Sequence, residues 1–457
     1  MKKSRTLRMT EGSIYKLILQ FALPILIGQI FQNLYNSVDM ITVGRYAENG
    51  KTALAAVSAS SDISMLLTGF FTGLSTGAGV LFARFFGAKD DRNLHDAIHT
   101  ALTFVLILGA CMATIGIVGT PLLLKIVDCP EDVYVEASQY LRIYLVGILF
   151  TALYNVGSGV LRAVGDSNTP LQILVITCVV NITLDLITVV WLNMGVIGVA
   201  IATIVSQGLS MVLVYSKMMR TTDVYHVSVR DLRINKTLLI QIIDLGIPSA
   251  IQSSLTSISN LFVQRYVNSF GSAAMAGVGA AKKIDRFVGM ASQSLGQATT
   301  TFVSQNVGAK QYDRAFKGIR ACLTMGIMIV AAVGIPVYFA ANGAISLFIP
   351  GDPEAIAYGA AMVHVIVPLF YCQTLNQIFS NAVRGFGKSR AVMYLSLIGM
   401  IGCRQLFLAI SMSINRTVTN VFFGYPVGWF FSALFVMIYY FAKISRKYKH
   451  MPEQLEA

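Results

Sequence analysis

Long apolar segments follow one another along almost the whole chain and leave only short polar stretches between them. Twelve such segments can be placed, each with about 20 or more mostly apolar residues, the length that an α-helix needs to cross a bilayer. Their approximate limits are 14–43, 53–82, 94–120, 138–162, 169–192, 195–217, 239–268, 273–305, 315–342, 356–384, 390–414 and 421–443. Only 12% of the 457 residues are charged, roughly half the share in a soluble domain. The sequence therefore predicts an all-α polytopic membrane protein with 12 transmembrane helices.

The basic residues account for the net charge of +13 without a nucleic-acid partner. Most Lys and Arg residues lie near the termini and in alternate loops, such as 84–92 and 384–390, whereas the stretches 128–132 and 352–354 in the opposite loops are acidic. Because cytoplasmic loops are enriched in Lys and Arg, we predict a multi-pass protein of the cell inner (plasma) membrane with both termini in the cytoplasm. Membrane lipid is its expected surrounding partner, and we expect a monomer.

An internal repeat divides the chain into two halves. Arg162 and Gly165 recur 222 positions later as Arg384 and Gly387. The tripeptide Gly87-Ala88-Lys89 recurs at 308–310, and Leu23-Pro24 matches Ile247-Pro248. Two six-helix bundles of the same orientation would be related by a pseudo-two-fold axis along the membrane normal, with the natural binding cleft between them. The predicted domains are an N-lobe at 1–219, a cytoplasmic linker at 220–237 and a C-lobe at 238–457.

Asp39 and Asp185 lie inside apolar segments, where an ionisable side chain costs about 2.5–3.5 kcal/mol on insertion scales and is a candidate for function. Asp39 and Asp185 are predicted to lie at similar depth, together with Thr203. Asn181 shares a helix face with Asp185 because the two are four residues apart. Two carboxylates, an amide and a hydroxyl can share a proton or bind a small cation such as Na⁺. The structural alternative is an interfacial Asp39 and an Asp185 that only bonds a neighbouring helix.

The acidic pair occurs in only one half of the repeat. Val263 and Phe407 occupy the positions that correspond to Asp39 and Asp185 in the second half. A purely structural pair would be expected in both halves, whereas a single coupling site would occur in one. The asymmetry therefore favours a functional site in the N-lobe.

These features together resemble the multidrug and toxic compound extrusion (MATE) transporters of the multidrug/lipid/polysaccharide flippase superfamily. The resemblance covers essentially the whole chain: twelve segments, a six-plus-six repeat, a first helix with Leu23-Pro24 that ends in an aspartate, and the paired loop motifs. It implies the DinF-like branch, whose ion-coupling positions fall here on Asp39, Asn181, Asp185 and Thr203. It also implies that Asn155 in the fourth segment belongs to this polar network.

The resemblance also assigns a role to Pro24. It implies that the first helix bends at this position when the N-lobe aspartates are protonated. A proline inside a helix removes a hydrogen bond and permits a kink, and a static kink is the alternative. Pro248 occupies the same place in the second half, which indicates that at least part of the role of Pro24 is structural.

The second half carries cationic side chains inside its apolar segments. They are Lys282, Lys283, Arg286, His364 and Arg404. One hypothesis assigns them to a substrate cleft for an anionic or zwitterionic group. The alternative, which we favour from sequence, is internal pairing with Asp285 and extension of the long side chains toward water.

The expected function is a secondary active multidrug efflux antiporter. It would export small organic molecules, cationic or amphipathic in character, in exchange for H⁺ or Na⁺ by alternating access. The glycine-rich loops do not follow strands, so no nucleotide site and no cofactor beyond the coupling ion are expected. One alternative is a flippase for a lipid-linked or polysaccharide precursor, because basic residues suit its phosphates. An intramembrane enzyme is disfavoured, because only His364 of the five histidines lies clearly within a segment.

Overall fold

The computed structural model describes residues 7–46, 50–126 and 129–449, and these ranges contain helices and turns but no strand. Twelve long helices, which we number α1 to α12, account for most of them. They span Ile14–Tyr46, Gly50–Gly87, Asp91–Ile126, Tyr134–Ala163, Asn168–Trp191, Gly195–Arg220, Lys236–Asn268, Ser272–Gly308, Tyr312–Phe339, Pro353–Gly385, Ser389–Ile414 and Val418–Lys449. Each predicted segment corresponds to one of these helices, so the all-α fold is confirmed.

Eleven of the described helices are long enough and apolar enough to cross a membrane. The long helix outside this group is α8, which contains Lys282, Lys283, Asp285 and Arg286 within five positions. Charges reduce the apolar character of a span without changing its length. The predicted span 273–305 therefore forms a helix that is more polar than the other eleven.

Irregular winding interrupts the same helix in both halves. In α5 a π-helical turn, Leu186–Trp191, directly follows Asp185, and in α11 a π-helical turn, Ile398–Cys403, directly precedes Arg404. Such turns are rare and are often found at functional sites. The fifth helix of each half thus carries its irregular turn beside its ionisable residue.

The described chain packs as two units. The first contains the chain up to Arg8 and Ile27–Ser253, and the second contains Met9–Leu26 and the chain from Ser254 onward. Helix α1 therefore passes from the second unit to the first just after Pro24, and α7 passes from the first to the second a short distance after Pro248. The division into domains at 1–219, 220–237 and 238–457 is a statement about the sequence repeat and stays a prediction.

Each unit buries an apolar core between its own helices. In the first unit Phe71 and Phe82 of α2 pack with Ile98 of α3 and Val160 of α4. In the second unit the N-terminal half of α1 contributes Phe21 to a core that it shares with α8, α9, α10 and α12. These cores set the rotation of the helices and therefore decide which polar side chains meet.

The segment between α6 and α7 lies on the N-terminal end of α3. Tyr225 and Val227 are buried there, and the backbone N–H of Asn235 donates to Oγ1 of Thr100 at 3.2 Å. Burial is the main reason that the pKa of the Tyr225 phenol rises to about 12. The predicted linker is therefore anchored to the first unit along much of its length.

Candidate functional site

Packing within the first unit sets α1 against α5. The face of α1 at Gly28 approaches Leu171 and Leu174 of α5, and Sγ of Cys178 lies 3.8 Å from the backbone oxygen of Phe31. Small and apolar groups at this contact let the two helices approach closely. The contact continues toward the C-terminal ends of both helices, where their aspartates lie.

A tight turn then brings α6 onto α5. Asn193 and Gly195 take the left-handed conformation, with φ of 50° and 53°, which Asn and Gly adopt more readily than other residues. At Gly198 a Cβ atom would come within 2.9 Å of Thr188, so only glycine permits this approach. Thr203 lies eight residues into α6 from this turn and is buried.

The two aspartates adjoin each other inside the first unit. The side chain of Asp39 is 8% exposed and that of Asp185 is fully buried, and each carboxyl group interacts directly with the other. Asp39 lies seven residues before the end of α1 and Asp185 six residues before the end of α5. At 1.5 Å per residue, both lie roughly 9–11 Å below the same end of the bundle.

Several polar atoms around this pair have no hydrogen-bond partner among the described residues. They are both oxygens of Asp185, Oδ1 of Asp39, both side-chain polar atoms of Asn181, and the hydroxyls of Thr203 and Ser206. A buried polar atom without a partner costs about 1–3 kcal/mol. Such a concentration of unsatisfied oxygens suits a site that binds a proton or a small cation, since either would supply the missing interactions.

The structure gives the location of the five predicted site residues, and their role in ion coupling stays a prediction. All four of Asp39, Asn181, Asp185 and Thr203 are buried in the first unit, with Asp39 and Asp185 interacting directly. Asn155 of α4 instead donates from Nδ2 to the backbone oxygen of Thr151 at 3.0 Å. Its own backbone oxygen accepts from Oγ of Ser75 at 2.6 Å, so Asn155 joins α4 to α2.

Tyrosines that the sequence reasoning missed surround the acidic pair. Tyr35 of α1 and Tyr140 of α4 both interact electrostatically with Asp39. Tyr140 stacks on Tyr144 with ring centroids 6.2 Å apart, and Tyr144 shares a hydrogen bond of 3.0 Å with Oγ1 of Thr68. The sequence contains a signal for these contacts, because residues four apart lie on the same helix face. Tyr35 precedes Asp39 by four residues, and Tyr140 precedes Tyr144 by four.

The second unit buries a cation on the helix that corresponds to α5. Arg404 of α11 is 1% exposed and donates from Nη1 to Oδ1 of Asn260 at 3.0 Å. Its Nη2 donates to Oγ of Ser259, so one guanidinium holds two positions of α7. Charge-assisted bonds of this kind are roughly twice as strong as neutral ones.

A tyrosine connects Arg404 with one of the predicted lysines. Arg404 and Lys282 lie over the ring of Tyr425, at 5.9 and 6.0 Å from its centroid. Lys282 also donates to Oε1 of Gln264 at 2.5 Å. Asp285 interacts with Lys282 through opposite charge, so this group keeps a net positive charge.

The other predicted cleft residues lie in different surroundings. Lys283 is exposed and lies over the ring of Phe348 at 5.2 Å, and Arg286 is exposed. His364 of α10 is exposed, with Nε2 3.1 Å from the backbone oxygen of Tyr338. The structure therefore joins two of the five predicted residues, Lys282 and Arg404, through Tyr425.

Comparison with known proteins places this geometry in a family of transporters. The profile of the MatE family matches residues 24–187 and 248–410, one stretch in each half of the chain. The chain is 29% identical over 443 residues to the probable multidrug resistance protein YoeA of Bacillus subtilis, covering 95% of both chains. It is 21% identical over 397 residues to the multidrug export protein MepA of Staphylococcus haemolyticus, covering 87% of both.

The fold is shared with solved structures. A MOP superfamily transporter from Pyrococcus furiosus, described as having a binding pocket of reverse polarity that suggests a different function, superposes with a TM-score of 0.91. It is 22% identical, and the match covers 99% of this chain and 100% of that one. At this identity the likeness concerns the fold. The named relatives are multidrug transporters rather than enzymes, and the family profile covers more than half of the chain. This chain is therefore a multi-pass membrane transporter for small molecules that belongs to the MatE family of multidrug efflux proteins.

Proposed function

We propose that the protein is a secondary active antiporter that exports organic, cationic or amphipathic compounds in exchange for H⁺ or Na⁺. The observation that carries the proposal is the buried pair Asp39–Asp185, with the buried Asn181 one helical turn away on α5. A buried carboxyl pair in which three of the four oxygens have no hydrogen-bond partner among the described residues has a chemical reason to take up a cation. The protein acts in the plasma membrane as a monomer with both termini in the cytoplasm.

The exchange requires two conformations that bind the ion with different affinity. A ligand shifts a conformational equilibrium only by its differential affinity for the two states. Protonation or Na⁺ binding removes the repulsion between Asp39 and Asp185, so the conformation that brings the carboxyl groups together is stabilised by the ion. Release of the ion destabilises that conformation, and substrate export is coupled to this change.

Pro24 is the proposed point at which α1 responds. The helix is continuous from Ile14 to Tyr46, yet its residues change packing unit between Leu26 and Ile27. A proline at the preceding turn removes one backbone hydrogen bond, which makes bending less costly there. We assign Pro24 the role of a bending point between the acidic end of α1 and its N-terminal half.

The proposal is tested by efflux of a cationic dye from proteoliposomes, driven separately by a pH gradient and by a sodium gradient. We expect one gradient to drive efflux in the wild type, and Asp39→Asn or Asp185→Asn to abolish it while the protein still inserts. Asp91→Asn is the matched control, because Asp91 is an exposed carboxylate in the first turn of α3. Undiminished efflux in both aspartate variants would overturn the proposed coupling site.

A second candidate rests on the positive charge of the second unit. Arg404 and Lys282, which both lie over the ring of Tyr425, suit a phosphate-bearing cargo, as a flippase for a lipid-linked or polysaccharide precursor would carry. Reconstitution with a fluorescent lipid-linked pyrophosphate distinguishes the two functions. A flippase would move this lipid and give no dye efflux with either gradient, whereas an antiporter would give the reverse result.

A further inference from the structure

Two histidines and an aspartate meet where the linker crosses the N-terminal end of α3. His95 and His99 are four residues apart on this helix, with ring centroids separated by 4.1 Å. The turn Val229–Asp231 of the linker brings Oδ2 of Asp231 to 3.7 Å from Nε2 of His95. One ligand-type atom from each of the three residues lies within 4.8 Å of the other two.

Hydrogen bonds at both ring nitrogens orient the imidazole of His99. Nδ1 of His99 lies 2.8 Å from the backbone oxygen of His95, so this nitrogen carries the proton and donates it. The backbone N–H of Ser228 donates to Nε2 of His99 at 3.1 Å, so this second nitrogen presents a lone pair toward the linker.

His95 has a carboxylate near the same ring nitrogen. Its Nδ1 lies 3.7 Å from Oδ1 of Asp96, and Asp96 is held in place by Nη2 of Arg233 at 2.6 Å. Histidines that bind metals almost always direct their other ring N–H to a carboxylate or a backbone oxygen. His99 has the backbone form of this arrangement, and His95 has a carboxylate near Nδ1 at a distance longer than a hydrogen bond. Nε2 of each ring is directed at the linker.

We propose that His95, His99 and Asp231 form a binding site for a divalent transition metal ion of the zinc type. Two imidazole nitrogens and one carboxylate oxygen are a ligand set that Zn²⁺ accepts, with the fourth position open to water. Ligand atoms of a tetrahedral site are about 3.3 Å apart. Closing the site therefore needs side-chain movements of about 1 Å, and His99 exchanges its bond from Ser228 for the metal.

The site is accessible from solvent, and its occupation has a mechanical consequence. The side chains of His95 and Asp231 are 34% and 49% exposed, so an ion can first bind these two ligands from solvent. His99 is fully buried and joins them when its bond from Ser228 opens. Asp231 belongs to the linker and the histidines belong to α3. A bound ion therefore joins the linker to α3, and the linker should separate from α3 more slowly when the ion is bound.

Binding is tested on the full-length protein, purified in detergent through a tag that contains no histidine. We expect one equivalent of Zn²⁺ by calorimetry, and a visible absorption spectrum of tetrahedral type with Co²⁺. His95→Gln and Asp231→Asn should each weaken Zn²⁺ binding about tenfold or more, and Asp96→Asn by about 10–100-fold through His95. His226→Gln is the matched control, because His226 lies in the same linker and contacts the backbone oxygen of Thr221.

A second measurement reports the position of the linker. Arg230 is exposed and directly precedes Asp231, so trypsin cleavage at this bond should slow when Zn²⁺ is added. The same addition should leave cleavage of the Asp231→Asn variant unchanged. Undetectable Zn²⁺ binding in the wild type would overturn the proposal. So would binding that survives both His95→Gln and Asp231→Asn, or binding that His226→Gln removes.

Discussion

Arg404 donates a hydrogen bond of 3.0 Å to Oδ1 of Asn260, and this bond joins α11 to α7 in the second packing unit. The repeat makes these helices the counterparts of α5 and α1, which meet in the first unit at Asp185 and Asp39. The same helix pair thus carries two carboxylates in one half of the chain and a guanidinium in the other. Corresponding helices of the repeat thus carry opposite charge, although Arg404 lies three residues before Phe407, the counterpart of Asp185.

The hydrogen bonds of Arg404 predict a structural role for this residue. Arg404→Met removes the guanidinium and leaves Ser259 and Asn260 without their bonds to it, so we expect a loss of about 1.5–3 kcal/mol in the free energy of unfolding. The measurement is the thermal unfolding midpoint in detergent. Lys283→Gln serves as control, because the exposed Lys283 should change stability by less than about 0.5 kcal/mol. Equal midpoints for Arg404→Met and wild type would contradict a structural role.

Close packing of α2 against α7 predicts different outcomes for two glycines of the same helix. A Cβ atom at Gly73 would lie 2.6 Å from the backbone of Ala250, whereas one at Gly69 would lie 4.0 Å from Cβ of Ser253. Gly73→Ala should therefore destabilise the protein by about 1–3 kcal/mol. Gly69→Ala should leave it unchanged or stabilise it by about 0.5–1 kcal/mol through helix propensity. The measurement is the thermal unfolding midpoint of the two variants under the same conditions. Equal midpoints would contradict close packing of α2 against α7 at Gly73.

The fold and most of the acidic site could be predicted from the sequence for a physical reason. Apolar length determines where helices lie, and distance from the helix ends then sets the depth of Asp39, Asp185 and Thr203. The partners of each side chain depend on helix rotation, which is decided by packing between segments far apart in sequence. The contacts of Arg404 with α7 and of Tyr140 with Asp39 were therefore not foreseen.

The π-helical turns and the path of the linker could not be predicted from the sequence either. Nothing in the local sequence of 186–191 or 398–403 distinguishes a π-helical turn from an α-helical one. The spacing of His95 and His99 is visible in the sequence, but the partner Asp231 lies in a polar stretch whose path follows no hydrophobic period. Its position depends on tertiary contacts such as the burial of Tyr225.

The change of packing unit after Pro24 predicts that transport depends on this proline. An interior proline costs a helix about 3 kcal/mol, so Pro24→Ala favours a straight α1 by up to that amount. We expect an unchanged or higher unfolding midpoint together with efflux several-fold below wild type. Pro121→Ala is the matched control, because Pro121 also lies inside a helix, near the end of α3. Full efflux by Pro24→Ala would mean that the kink is static.

The unsatisfied oxygens around Asp39 and Asp185 predict that the coupling ion stabilises the folded protein. An ion that binds the folded state alone adds about 2.7 kcal/mol to the free energy of unfolding at a hundredfold excess over its Kd. We expect the unfolding midpoint to rise either with Na⁺ at constant pH and constant ionic strength, or with falling pH at constant Na⁺. The ion that raises it is the coupling ion.

The variants separate this effect from general stabilisation. Asp39→Asn and Asp185→Asn should lose the dependence on that ion, while Asp91→Asn should keep it. Both aspartate variants should also be more stable than the wild type in the absence of the ion, by about 0.5–2 kcal/mol, because each removes the repulsion between two buried carboxylates. A dependence on Na⁺ or pH that persists in both variants would place ion binding elsewhere in the protein.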